Sequence, residues 1–140
     1  MRHLPITVFL ICLLLAARHS AAADVRLIVH PDVPGETLAF NEVQNIFLGQ
    51  KAFWSDGVKI MPAVLDDGGT HRAFLDRFIK KTASQFSMYW KRMIFTGKGM
   101  APPDFETEAA VVEYVSGTVG GIGYVGPDVD LSAVKVLEVR

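Results

Sequence analysis

From Val25 onward, short apolar runs alternate with apolar stripes at helical spacing. Val25 to His30 (VRLIVH) is an apolar run closed by Pro31 and Pro34, which reads as a strand ended by a turn. Phe40, Val43, Ile46 and Phe47 then fall on one helical face, with Gly49 as the stop. Asp56-Gly57 predicts a turn into a second strand over Lys59 to Leu65, and Pro62 inside it places that strand at an edge or a bulge. Two more stripes follow, Phe74, Leu75, Phe78 and Ile79, then Phe86, Tyr89, Trp90, Met93 and Ile94, each expected to pack on a core. Thr96 to Pro103 (TGKGMAPP) has loop composition. Thr107 reads as the cap of a helix that runs to Val115 and closes on Gly117. Gly121 to Val125 (GIGYV) reads as a buried strand, and Val134 to Val139 alternates as a last one. Strands interleaved with helices predict an α/β fold, a single-domain sandwich with a mixed sheet over residues 24–140.

The first 23 residues change the picture of where the chain works. Arg2 and His3 precede a nearly continuous apolar run from Leu4 to Ala17, and Ala21-Ala22-Ala23 supplies small residues for cleavage. Residues 1–23 are therefore expected to be a secretory signal peptide, with Asp24 as the first residue of the exported chain. Cys12, the only cysteine, sits mid-run and not in a lipid-attachment position, so the exported part holds no thiol and builds its stability without disulfides. Of the 14 Lys and Arg, Arg2 and Arg18 lie before Asp24, which leaves 12 against 15 Asp and Glu. A mildly acidic chain with no basic run beyond Lys80-Lys81 and Lys91-Arg92 is not a nucleic-acid binder. Residues 24–140 hold no apolar stretch long enough to span a bilayer, and a soluble exported protein is expected.

Candidate chemistry is sparse. His30 and His71 are the two histidines after residue 23, and neither lies in a metal-ligand spacing. The acidic pairs Asp66-Asp67 and Glu106/Glu108 are not arranged for acid–base work, and no GxSxG elbow is present. Gly97-Lys98-Gly99 lacks the spacing of a phosphate loop, because Met100 stands where a hydroxyl is needed. No cofactor is implied, and a binding protein is expected in place of an enzyme. The stretch LDDGGTHRAF (65–74) stands apart. Gly68 and Gly69 allow close approach to a ligand, a helix start offers unpaired N–H groups, and Thr70, His71 and Arg72 add a hydroxyl and cationic character. The same residues also fit a plain turn in which Thr70 caps the helix and Arg72 pairs with Asp66 or Asp67.

The stretch VHPDVPGETLAFNEVQNIFLGQKAFWSDGVKIMPAVLDDGGTHRAFLDRFI resembles the second-lobe segment of the periplasmic phosphate-binding proteins of ABC transporters. The resemblance rests on Ile46-Phe47-Leu48-Gly49, Trp54, the glycine turn before Thr70, and Gly121-Ile122-Gly123-Tyr124-Val125. It implies one lobe of a type-2 solute-binding fold, a periplasmic location, and an ABC transporter or a sensor protein as partner. It also implies weak capture of phosphate or a similar oxyanion by Gly68, Gly69, Thr70, His71 and Arg72. The family's Ser-Gly-Thr falls on Gly68-Gly69-Thr70, so its serine hydroxyl is missing, and its arginine falls on apolar Val64 or Leu65. The alternative is an interaction or sensing module of the same fold, with an apolar docking patch from Phe53, Trp54 and Met100.

Overall fold

A computed structural model describes residues 24–140, and the signal peptide expected over residues 1–23 lies outside them. Strand β1 (Arg26–Val29) is almost wholly buried, as its apolar run requires. It pairs antiparallel with β6 (Gly121–Val125) on one side and with β7 (Lys135–Val139) on the other. Two-residue strands close the sheet: β2 (Thr37–Leu38) runs parallel to β7, and β3 (Met61–Pro62) runs parallel to β6. The order β2-β7-β1-β6-β3 gives a five-stranded mixed sheet, the mixed α/β architecture expected. Pro62 lies on the edge strand, where its missing N–H leaves no ladder position empty.

The expected second strand is divided. Ala63 donates to the Ile122 carbonyl in the main sheet, whereas the next residue, Val64, donates to the Pro103 carbonyl. Successive N–H groups of an extended segment face opposite sides, so Ala63 passes the chain from β6 on one side to the segment at 103–105 on the other. Beyond Ala63, β4 (Val64–Leu65) pairs in parallel with β5 (Asp104–Phe105) as a separate two-stranded sheet.

Helices cover both faces of β6. Helix α4 (Glu108–Gly117) lies directly on the backbone of one face, because Gly123 has no side chain there. A Cβ at Gly123 would stand 2.6 Å from Val111 Cγ1, so any larger residue would lift the helix. Thr107 caps α4 as expected, accepting the Ala110 N–H at 3.1 Å. The opposite face presents Tyr124 to α1 (Phe40–Phe47) and α2 (Gly69–Phe74). Tyr124 stacks on Phe74 at 3.8 Å between centroids, and Phe47 meets Phe74 edge-on at 4.8 Å. Stacked and edge contacts of this kind add to the burial energy of the rings.

Helix α2 runs on through a widened π-type turn, Leu75–Ile79, so that Phe74, Leu75, Phe78 and Ile79 are all buried as their stripe requires. Helix α3 (Ala83–Phe95) begins at a reciprocal cap in which Thr82 accepts from Gln85 N–H and Gln85 accepts from Thr82 N–H. Its stripe is narrower than expected. Phe86 and Trp90 are buried and Tyr89 and Met93 pack partly, but Ile94 is 52 % exposed. The helix touches the end of α1, where Tyr89 donates its hydroxyl to the Leu48 carbonyl, and α2, where Phe86 meets His71, and does not bury its full width.

Candidate functional site

The carboxyl ends of β4, β5 and β6 and the amino ends of α2 and α4 gather at one corner of the molecule. Outside strand carboxyl ends is where α/β folds bind ligands most often. Leu65 closes β4 with its N–H donated to the Tyr124 hydroxyl at 3.0 Å, and Asp66 donates its N–H to the Phe105 carbonyl. Asp66 and Asp67 are exposed, and Gly68 turns the chain with φ of 101°, a conformation that a side chain would strain.

That turn corrects one expectation. Thr70 does not cap the helix: Gly68 occupies the cap position, and α2 starts at Gly69. Glycine's freedom at Gly68 lets the helix start before the hydroxyl is reached, which leaves Thr70 inside the first turn. The N–H groups of Gly69, Thr70 and His71 head the helix without intrahelical acceptors, while Arg72 makes the first bond, to the Gly68 carbonyl at 3.1 Å.

The side chains of the three residues diverge. Thr70 Oγ1 lies beside Gly126, where the carboxylate of Glu108 also sits, accepting the Gly126 N–H at 2.5 Å. His71 turns inward and is 4 % exposed, with its Nδ1 2.5 Å from the Tyr124 hydroxyl. The Tyr124 hydroxyl therefore joins two partners, accepting the Leu65 N–H and sharing a second hydrogen bond with His71 Nδ1. Burial holds His71 below the ordinary imidazole value and outweighs the pull of Asp67 and Asp66 toward the charged form. Burial also pushes the Tyr124 phenol well above its usual range. Arg72 stays on the surface, with its guanidinium 3.5 Å from Asp67.

Gly68, Gly69, Thr70, His71 and Arg72 thus contribute mainly backbone. Three N–H groups precede the first intrahelical bond, the imidazole is committed to the core, and the arginine is shared with an acid. The sequence reading missed Glu108 as a neighbour of Thr70, having set it aside with Glu106, and missed Gly126 altogether. The Gly126-Pro127 turn after a buried strand was the available signal. No group of three His, Asp or Glu side chains able to hold a metal occurs among the described residues. The Trp90 indole N–H is buried without a hydrogen-bond partner.

The docking patch expected from Phe53, Trp54 and Met100 also needs correction. Trp54 is 5 % exposed and donates its indole N–H to the Gly120 carbonyl at 2.9 Å, so it belongs to the core. Phe53 and Met100 are exposed, as are Ile94 and Phe95 at the end of α3. Among the described residues no helix is long and apolar enough to cross a membrane.

No protein-family model and no curated protein sequence matches the chain. Its fold, in contrast, matches that of solved phosphate transport proteins. PstS from Borrelia burgdorferi aligns with a TM-score of 0.64 at 18 % identity, over 83 % of this chain and 47 % of that one. A Clostridium perfringens chain described as a putative phosphate ABC transporter substrate-binding protein with bound phosphate aligns at 0.61 and 21 % identity, over 82 % and 44 %. An ABC-type phosphate transport receptor from Vibrio cholerae aligns at 0.59 and 16 % identity, over 82 % and 45 %. The chain spans less than half the length of each. At these identities the likeness is one of fold.

Proposed function

We propose that the protein is an exported, periplasmic solute-binding lobe that captures a phosphate-like oxyanion weakly, in the service of an ABC transporter or a sensor protein. The observation that carries the reading is the set of N–H groups of Gly69, Thr70 and His71, opened by Gly68 at the carboxyl ends of three strands. Helix-start N–H groups with their partial positive charge suit a small anion. Arg72 adds a guanidinium once it leaves Asp67, an exposed pair that holds it with little energy. Asp66, Asp67 and Glu108 oppose a fully ionised ligand, so an oxyanion that keeps a proton to donate is favoured. A ligand held by one lobe stays open to water, where high dielectric and salt weaken each contact.

Calorimetric titration with phosphate should give a Kd of about 0.1–1 mM. Arg72→Ala should weaken binding by more than about tenfold, the scale of one charged hydrogen bond. No heat from the parent protein at about 10 mM phosphate, far above that range, would overturn the reading.

A second reading, an interaction module of the same fold, is favoured by the exposure of two large apolar side chains, Phe95 at 94 % and Met100 at 89 %. Light scattering separates the two. Self-association that Phe95→Ser abolishes supports docking, and a monomer at all concentrations opposes it.

A further inference from the structure

A cleft of about 370 Å³ lies away from the 66–72 turn, between the end of α1, the segment leading into β3, helix α3 and the loop at 98–103. Its size falls within the range of small-molecule sites, roughly 300–1,000 Å³. Ile60 and Trp90 form its walls, at 4 % and 7 % exposure, with Pro62, Met93 and Pro103 beside them. The indole is firmly seated, since a Cβ on Gly49 would approach Trp90 Cη2 to 2.8 Å. A side chain there would push the ring aside, so the glycine fixes the wall in place.

Charge around this apolar interior is one-sided. The lining includes Lys51, Lys59 and Lys98 and no acid, in a chain whose acids outnumber its bases. Lys51 is held by Glu42 at 2.8 Å, while Lys59 and Lys98 have no ion pair among the described residues. Both are exposed on long stems and can reach across the mouth. An extended peptide is a poor fit. Met61 and Ala63 turn their N–H groups to β6, so the outward position of this edge falls on Pro62, which has no N–H to pair with an added strand.

We propose that this cleft binds a small amphipathic anion, its hydrocarbon body against Ile60 and Trp90 and its carboxylate or equivalent head between Lys59 and Lys98. The site lies on the other side of Trp90 from the oxyanion turn, and its ligand would touch none of residues 66–72. Trp90 is its own reporter, because Trp54 lies elsewhere, against Gly120.

The test is a fluorescence titration of the Trp54→Phe protein with decanoate, 1-decanol and decyltrimethylammonium. Decanoate should shift Trp90 emission saturably, at least about tenfold more tightly than decanol, the ratio expected for one charged hydrogen bond. The cationic amphiphile should bind most weakly. Lys59→Gln combined with Lys98→Gln should bring decanoate to the level of decanol and leave decanol unchanged. Phosphate at about 10 mM, above the range expected at the turn, should not displace decanoate. The same titration on the parent protein, followed by calorimetry, guards against a fold damaged by Trp54→Phe. Equal binding of decanoate and decanol, no saturation by either method, no change in the double lysine variant, or displacement by phosphate would each overturn the proposal.

Discussion

The turn at 66–72 and the cleft beside Trp90 are opposites in construction and in charge. The turn is contiguous in sequence, offers backbone donors, and is ringed by Asp66, Asp67 and Glu108 against one shared arginine. The cleft draws on α1, β3, α3, α4 and a loop, offers an apolar interior, and carries lysines alone. A contiguous turn fixes its backbone through one glycine, but it cannot choose which way each side chain faces. Successive residues on a helix start diverge, and here Thr70, His71 and Arg72 go to α4, to the core and to solvent. A cleft assembled from distant segments selects every lining side chain for its direction, and can concentrate one sign of charge without any local motif.

Trp90 joins the two regions, since it walls the cleft and also borders His71 and Asp66 on its other side. The largest effect is therefore expected at Trp90→Ala. Removing a buried indole should lower stability by about 3–5 kcal/mol, read as a shift of the urea midpoint. A loss below about 1 kcal/mol would mean that the wall between the regions is not part of the packed core.

Two threonines sharpen the contrast between a residue that caps and one that only resembles a cap. Thr107→Ala should cost about 1 kcal/mol, because its hydroxyl accepts the Ala110 N–H. Thr70→Ala should change stability by less than about 0.5 kcal/mol, because Gly68 holds the cap position. Equal losses in chemical denaturation would contradict the helix start at Gly69.

The smallest effect is a pH slope from His71. Its folded value is depressed by burial, so the unfolded chain binds the proton more readily. Stability from this group is present above the unfolded value near 6.5 and is lost as pH falls toward the lower folded value. Melting temperatures of the parent between about pH 7.5 and about pH 5.5 should fall more than those of His71→Gln across the same window, which brackets the ordinary imidazole range. Parallel slopes would show that His71 is not held neutral.

Legibility in the sequence divides along the same line. Helix α1 and strand β6 declared themselves because a repeat or a buried run needs no distant partner to be recognised. Thr107 was readable as a cap for the same local reason. β2 and β5 were not, since two residues become strand only when β7 and β4 lie alongside. The break at Ala63, the inward turn of Trp54 and the exposure of Ile94 each depend on what packs from elsewhere. Of the candidate site, the backbone of Gly68 to His71 was visible and the fate of its side chains was not. The lysine-rimmed cleft left no trace in any single segment.

The claim that the N–H groups of Gly69, Thr70 and His71 hold a small oxyanion is reached most directly by amide chemical-shift titration with phosphate. Saturable shifts should concentrate on those three amides and on Gly68, fit a Kd of about 0.1–1 mM, and in Arg72→Ala follow a Kd raised by more than about tenfold. Shifts that leave these amides unmoved, or that track Lys59 and Lys98 instead, would contradict it.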